Sequence, residues 1–245
     1  MSANIVLLET GHTFPALAER VGGFPEWFAA PLKGLVDHWT VVDGTVAPPS
    51  MTPGGVDGVI VTGSPASVHE RAPWSEASGR WLAAAARAGI PIFGICYGHQ
   101  LLGDALGGEA GPAPAGREIG ACGIDRDVED PIFEGLAEHF LVWQTHSDEL
   151  IQLPPDGYGI ASNTHGTYQA FGWGERCRGV QWHPEMSPEI MRFYINERRA
   201  LIDAERGEGA ADLLIETLPK SQLESGPRIL QNFARCFLEL GPRWV

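Results

Sequence analysis

Ile92-Phe93-Gly94-Ile95-Cys96-Tyr97-Gly98-His99-Gln100 is the stretch on which the fold turns. An apolar run gives way to a reactive side chain and then to a polar helix start, the pattern of a strand that turns sharply into a helix. Gly94 and Gly98 set Cys96 in the motif G-x-C-x-G, where missing Cβ atoms make room for a strained turn that lifts the middle side chain clear of the sheet. A helix opening near Gly98 directs backbone N–H groups and the positive end of its dipole at the sulfur, an arrangement that favours thiolate. Cys96 is therefore the candidate nucleophile. Taken alone, the run reads equally as the end of a core strand, because free cysteine is among the most buried residue types.

On the N-terminal side of this elbow, the sequence alternates apolar runs with helical stretches. Asn4 to Leu8, Trp39 to Val42, Val56 to Val61 and Ile90 to Ile95 read as strands, and the alanine-rich Trp74 to Ala88, with Gly89 as its C-cap, reads as a helix. That strand, helix, strand order argues a right-handed parallel crossover. Between His12 and Leu35, prolines and paired glycines alternate with Phe14, Phe24, Trp27 and Phe28, so short helical turns with exposed aromatics are expected there, packing on the sheet edge or walling a substrate site.

Beyond the elbow helix, Gly98 to Leu106, come five short β-like runs: Glu118–Ile124, Phe140–Trp143, Gly159–Ala161, Tyr168–Phe171 and Gly179–Trp182. Strands with no helices between them imply an antiparallel or mixed portion attached to a parallel sheet. The remainder is helical: Pro188 to Arg206, Ala210 to Leu218, and Pro227 to Leu240 with Ile229, Leu230, Phe233, Phe237 and Leu240 on one stripe. The fold expected is α/β: a flavodoxin-like, mostly parallel central sheet flanked by helices, with a small antiparallel or mixed portion and extra C-terminal helices, forming one domain over residues 1–245.

Composition narrows the function. With 44% hydrophobic and 20% charged residues in a chain of 245, a soluble globular domain with a sizeable core is expected. A formal net charge of −14 disfavours a nucleic-acid partner bound by a basic face. The N-terminus lacks the basic and apolar regions of a signal peptide, and no run reaches the length of a membrane span. Cys96, Cys122, Cys177 and Cys236 lie far apart, without zinc-ligand spacing, so a cytoplasmic, reduced protein with no metal and no cofactor is expected.

A cysteine nucleophile needs a base, and the base needs an orienter. Of eight histidines, His183 is the best placed: it follows Gly179-Val180-Gln181-Trp182, which puts it at the same carboxyl edge as Cys96, and Pro184 fixes the backbone so that Glu185 lies near the imidazole. Cys96, His183 and Glu185 then fill the roles of nucleophile, base and orienter. A strand-ending turn with no such role is the competing reading of His183-Pro184-Glu185. His146, in the polar run Trp143 to Asp148, is the other histidine of interest, and the remaining ones read as surface or loop residues.

The elbow Gly94 to Leu102, the Gly107-Gly108 that follows and the run Gly179 to Glu185 together resemble the class I glutamine amidotransferases. Within that family the nearest resemblance is to the amidotransferase domain of GMP synthase and its stand-alone relatives. Thr62-Gly63-Ser64-Pro65 is similar to the family's oxyanion loop, Thr145-His146-Ser147-Asp148 to a substrate loop, and Ile229 to Phe233 with Cys236 to its closing helix.

The resemblance implies attack of Cys96 on a glutamine side-chain amide, proton transfer by His183, support from Glu185, and an oxyanion hole from the backbone N–H groups of Ser64 and Tyr97. It places Gly63, Gln100, Ser147 and Asp148 at the substrate. Two features depart from the family pattern: Ser64 stands where a second glycine is common, and residues 187–225 read as a helical insertion that covers the site, makes an oligomer contact or extends the core.

No synthase motif follows, so the ammonia acceptor would be bound by a separate synthase partner. A γ-glutamyl peptidase or hydrolase that needs no partner is the alternative, and a non-catalytic regulatory homologue is the third.

Overall fold

A computed structural model describes residues 4–239 of the 245. The N-terminal half runs β1 (Ile5–Glu9), α1 (Pro15–Val21), α2 (Phe24–Ala29), β2 (Trp39–Asp43), β3 (Gly58–Val61), α3 (Pro73–Arg87), β4 (Ile92–Ile95) and α4 (Tyr97–Ala105). Seven strands follow: β5 (Glu109–Pro112), β6 (Glu118–Arg126), β7 (His139–His146), β8 (Asp148–Gln152), β9 (Gly157–Ser162), β10 (Ala170–Trp173) and β11 (Cys177–Val180). Helices α5 (Pro188–Glu197), α6 (Arg199–Arg206), α7 (Ala210–Thr217) and α8 (Ser225–Cys236) close the chain. Leu240, expected on the stripe of the last helix, lies outside the described residues.

Among the described residues, nine strands form one sheet in the order β2-β1-β3-β4-β11-β10-β9-β6-β7. The first five are parallel, and β10, β9, β6 and β7 continue the same sheet antiparallel. The expected parallel sheet with helices on its faces is present, and its antiparallel part is an extension of it rather than a separate layer. Strand periodicity divides the core: Ile5, Leu7 and Ile60 face one apolar cluster with α8, while Val6, Leu8, Val59 and Val61 face another with α3 and α4. Phe93 of β4 stacks on Phe233 of α8 with ring centroids 4.9 Å apart, which seats the last helix under the elbow strand.

Two expectations give way. Glu109 to Pro112, outside the five β-like runs expected beyond the elbow helix, pairs with β8 as a two-stranded ribbon. Its sequence, Glu-Ala-Gly-Pro, carries no β-branched residue, so the pairing is imposed by its partner rather than by propensity. The aromatics of the His12–Leu35 segment are not exposed: Phe24, Trp27 and Phe28 are buried in the core, and the Trp27 indole N–H donates to the Val21 carbonyl. Among the described residues no helix is long and apolar enough to cross a membrane.

Candidate active site

The carboxyl ends of the parallel strands line up along one edge, and that edge assembles the predicted residues. β4 and β11 pair in register Ile95↔Val180, and the Cys96 N–H donates to the Val180 carbonyl at 2.9 Å. The chain of β11 therefore leaves the sheet beside Cys96 and reaches His183 three residues later.

Cys96 itself has φ 52° and ψ −106°, a conformation that costs a non-glycine residue energy and holds its side chain off the sheet. The flanking glycines are required by contact: a Cβ on Gly94 would lie 2.4 Å from the Gly98 carbonyl oxygen, and one on Gly98 2.5 Å from that of Val61. The elbow thus packs backbone against backbone, as the sequence pattern implies.

His183 and Glu185 sit at the first turn after β11. His183 is fixed by its N–H donating to Trp143 O at 2.8 Å, and its Nδ1 meets Glu185 Oε1 at 2.7 Å. Both are buried. A Cβ on Gly226, at the start of α8, would lie 2.4 Å from the Pro184 carbonyl oxygen, so the closing helix presses directly on this turn. Burial pushes the imidazole pKa down, but the charges of Glu185 and Cys96 outweigh it and raise it to about 10. Its Nε2 is buried and has no hydrogen-bond partner among the described residues. Gly63 packs against both residues: a Cβ there would come 2.9 Å from His183 Cε1 and 3.7 Å from Cys96 Cβ.

The Thr62–Pro65 loop after β3 forms the next part of the edge. Thr10, at the end of β1, donates its hydroxyl to the carbonyls of Thr62 at 2.8 Å and Gly63 at 3.2 Å, bracing the loop from behind. Ser64 does not adopt a positive φ, so a side chain is accepted there without strain. Its hydroxyl accepts from the Ala66 N–H at 3.1 Å. Among the described residues, neither the Ser64 nor the Tyr97 backbone N–H meets an acceptor.

Cys96 stands where two cavities meet. A polar one, about 220 Å³, is lined by Tyr97, Gln100, Ser147 and Asp148, and also by Arg117 and Leu201. A more apolar one, about 240 Å³, is lined by Gly63 and His183, with Phe14, Phe24 and Tyr194 as its walls. Ser64, Pro65, Cys96, Thr145 and Arg198 border both. Of the predicted substrate residues, Gln100, Ser147 and Asp148 share the polar cavity while Gly63 lines the apolar one, and Gln100 is already engaged: its Nε2 donates to Asp148 O at 2.8 Å and Gln181 Oε1 at 3.1 Å. It orders the Ser147–Asp148 loop through that bond.

Two histidines are placed differently from expectation or from each other. His99, which reads as one of the surface and loop histidines, is fully buried, with its ring edge-on to Phe171 and its pKa driven by burial down to about 3. His146 is buried too, but both of its ring nitrogens are taken, Nδ1 by Asp148 O at 2.9 Å and Nε2 by Glu118 Oε2 at 3.0 Å. Among the described residues, no cluster of histidine, cysteine and carboxylate side chains could hold a metal ion.

The sequence marks Tyr194 only as a packing residue at helical spacing and gives Arg198 no role; they come from α5 and its C-terminal end, inside the 187–225 segment. The segment reaches the cavities through these residues and Leu201, and it adds Ile190, Met191, Ile195 and Ile202 to the core. A signal is present: Ile190, Tyr194 and Arg198 recur at i, i+4 and i+8, which puts an arginine on the buried stripe of the helix.

A family model for class-I glutamine amidotransferases matches residues 40–199. GMP synthase (glutamine-hydrolyzing) of Thermomicrobium roseum is 38% identical over 130 residues, 53% of this chain and 23% of the relative. Its counterpart from Caldanaerobacter subterraneus is 30% identical over 183 residues, 72% of this chain and 34% of the relative. The chain thus spans between 23% and 34% of the length of these curated relatives.

The crystal structure of a glutamine amidotransferase from Thermotoga maritima superposes with a TM-score of 0.73 at 18% identity, covering 98% of this chain and 100% of that one. A glutamine amidotransferase from Methylobacillus flagellatus gives 0.70 at 18% identity, covering 100% of this chain and 97% of that one. At such identities the structural likeness bears on the fold.

Proposed function

We propose, for a chain that belongs to the class-I glutamine amidotransferase family, that it cleaves the side-chain amide of glutamine through a γ-glutamyl thioester on Cys96. The observation that carries this reading is the meeting of a strained cysteine with an imidazole whose Nδ1 is held by Glu185 and whose Nε2 is without a partner.

An imidazole with its pKa raised to about 10 is cationic at neutral pH, and a cation beside a thiol favours the thiolate. Cys96 Sγ attacks the amide carbon. The oxyanion that forms is met by the Ser64 and Tyr97 N–H groups, donors already held in place and needing no reorganisation. His183 gives its proton to the departing nitrogen, so ammonia leaves as a neutral amine. Water then cleaves the thioester, with His183 taking a proton back, and glutamate is released. The glutamate end of the substrate occupies the polar cavity, where the loop ordered by Gln100 presents Ser147 and Asp148.

The ammonia acceptor is bound by a separate synthase partner. Support comes from the curated relatives, which are named GMP synthase (glutamine-hydrolyzing).

The test is to incubate the purified chain with glutamine, measure glutamate and ammonia, and record the intact mass after acid quench. Wild type is expected to carry a γ-glutamyl adduct on Cys96, and Cys96→Ala neither adduct nor turnover. Absence of an adduct in wild type, with glutamine and with a glutamine-like electrophile alike, overturns the proposal.

A further inference from the structure

The proposed reaction with glutamine releases ammonia, a molecule of about the size of water, whose share of liquid volume is roughly 30 Å³. The cavity on the His183 side of Cys96 is about 240 Å³ and is walled by aromatic rings. His183 is the group that protonates the leaving nitrogen on the proposed reading, so the cavity it lines is the one the leaving group enters. A site shaped only for ammonia has no use for Phe14, Phe24 and Tyr194 there.

Arg198 adds a charge to that wall. Its guanidinium carbon lies 4.9 Å from the centroid of the Tyr194 ring and 5.5 Å from that of Phe14, and both rings line the apolar cavity and not the polar one. Its Nη1 is buried without a hydrogen-bond partner, and among the described residues Arg198 forms no ion pair. Arg117, the other arginine at the cavities, is instead paired with Glu205 at 3.2 Å. A buried guanidinium N–H left unpaired is costly, and a carboxylate is the acceptor that matches its planar donor set. Stacking on two rings holds the group in place for such a partner.

Resting on the proposed thioester chemistry, we infer that the site also takes, in the place of ammonia, a leaving amino acid with an apolar side chain, its carboxylate held by Arg198 and its side chain against Phe14, Phe24 and Tyr194; γ-glutamyl dipeptides are then a second substrate class beside glutamine. The balance is that of a hydrolysis. The Cys96 Sγ to carbonyl carbon bond forms as the amide C–N bond breaks, the His183 proton goes to the amino acid nitrogen, and water cleaves the C–S bond to give glutamate.

The test compares γ-glutamyl-phenylalanine, γ-glutamyl-phenethylamide, which lacks only the carboxylate, and glutamine, by kcat/KM on wild type, Arg198→Met and Arg198→Lys. Wild type is expected to turn over both glutamine and the dipeptide, and to prefer the dipeptide over the phenethylamide about 10- to 100-fold, the range of a charge-assisted hydrogen-bonded pair. In Arg198→Met that preference falls to within about threefold, mainly through KM, and Arg198→Lys restores part of it.

Because the readout is a ratio on one protein, a general loss of folding does not imitate it. An unchanged ratio in Arg198→Met, or no preference of wild type for the dipeptide over the phenethylamide, overturns the inference while leaving the thioester reading intact. Failure of all three substrates to acylate Cys96 overturns both.

Discussion

Two buried histidine–carboxylate pairs lie in different parts of the sheet, and they differ in one nitrogen. At the parallel edge, His183 Nδ1 meets Glu185 at 2.7 Å, and Nε2 has no partner beside a strained cysteine. In the antiparallel half, His146 Nε2 meets Glu118 at 3.0 Å, and Nδ1 is taken by the Asp148 carbonyl. Glu118 is further saturated by Asn163 at 2.7 Å and Gln169 at 3.1 Å. The pair as such therefore does not mark a reactive site. The open nitrogen does, because a proton can be moved only by an atom that is not already committed.

The comparison is broken most severely at His183. His183→Gln should lower kcat/KM for amide cleavage by about 10³- to 10⁴-fold, the scale of removing a general acid–base in a triad. His146→Gln should stay within about fivefold of wild type; a loss as deep as that of His183→Gln would show that the saturated pair also takes part in the chemistry. Glu185→Gln should cost about 10²- to 10³-fold, since the imidazole keeps a neighbour but loses the charge that makes it a cation.

The opposite asymmetry is expected in stability. Glu118→Ala leaves the side chains of His146, Asn163 and Gln169 without their shared acceptor, and chemical denaturation should register a loss of about 2–4 kcal/mol.

The smallest effects should appear as pH dependences of opposite sign. His183 is raised in the folded chain, so its contribution to stability is full below pH 6.5 and is lost as pH rises through about 10. Burial pushes the Glu118 carboxyl up, but the His146 hydrogen bond and the nearby histidine charges win, and its pKa is lowered. Its contribution is present above about pH 4.5 and is lost as pH falls through the folded value. Urea midpoints measured from about pH 2 to 10 should therefore lose their alkaline decline in Glu185→Gln and part of their acid decline in Glu118→Gln. An alkaline limb unchanged by Glu185→Gln would place the raised pKa on another group.

Local constraints made the centre of the site readable from sequence. Gly94 and Gly98 announce the elbow because no side chain fits where backbone meets backbone, and Pro184 between His183 and Glu185 limits how far apart those side chains can sit. Continuous apolar runs likewise announced the parallel strands β1, β3 and β4, which are buried on both faces, and a period of 3.6 residues announced the amphipathic helices. Pairing between distant segments decided the rest. The Glu109–Pro112 ribbon exists only because β8 lies beside it. Gln100 is spent on ordering a loop 48 residues away. The apolar cavity, and the placing of Arg198 over Phe14 and Tyr194, arise where α5 meets the segment before α1. Such contacts join residues as far apart as Phe14 and Arg198, and a chain carries no local signal for a neighbour that only its fold supplies.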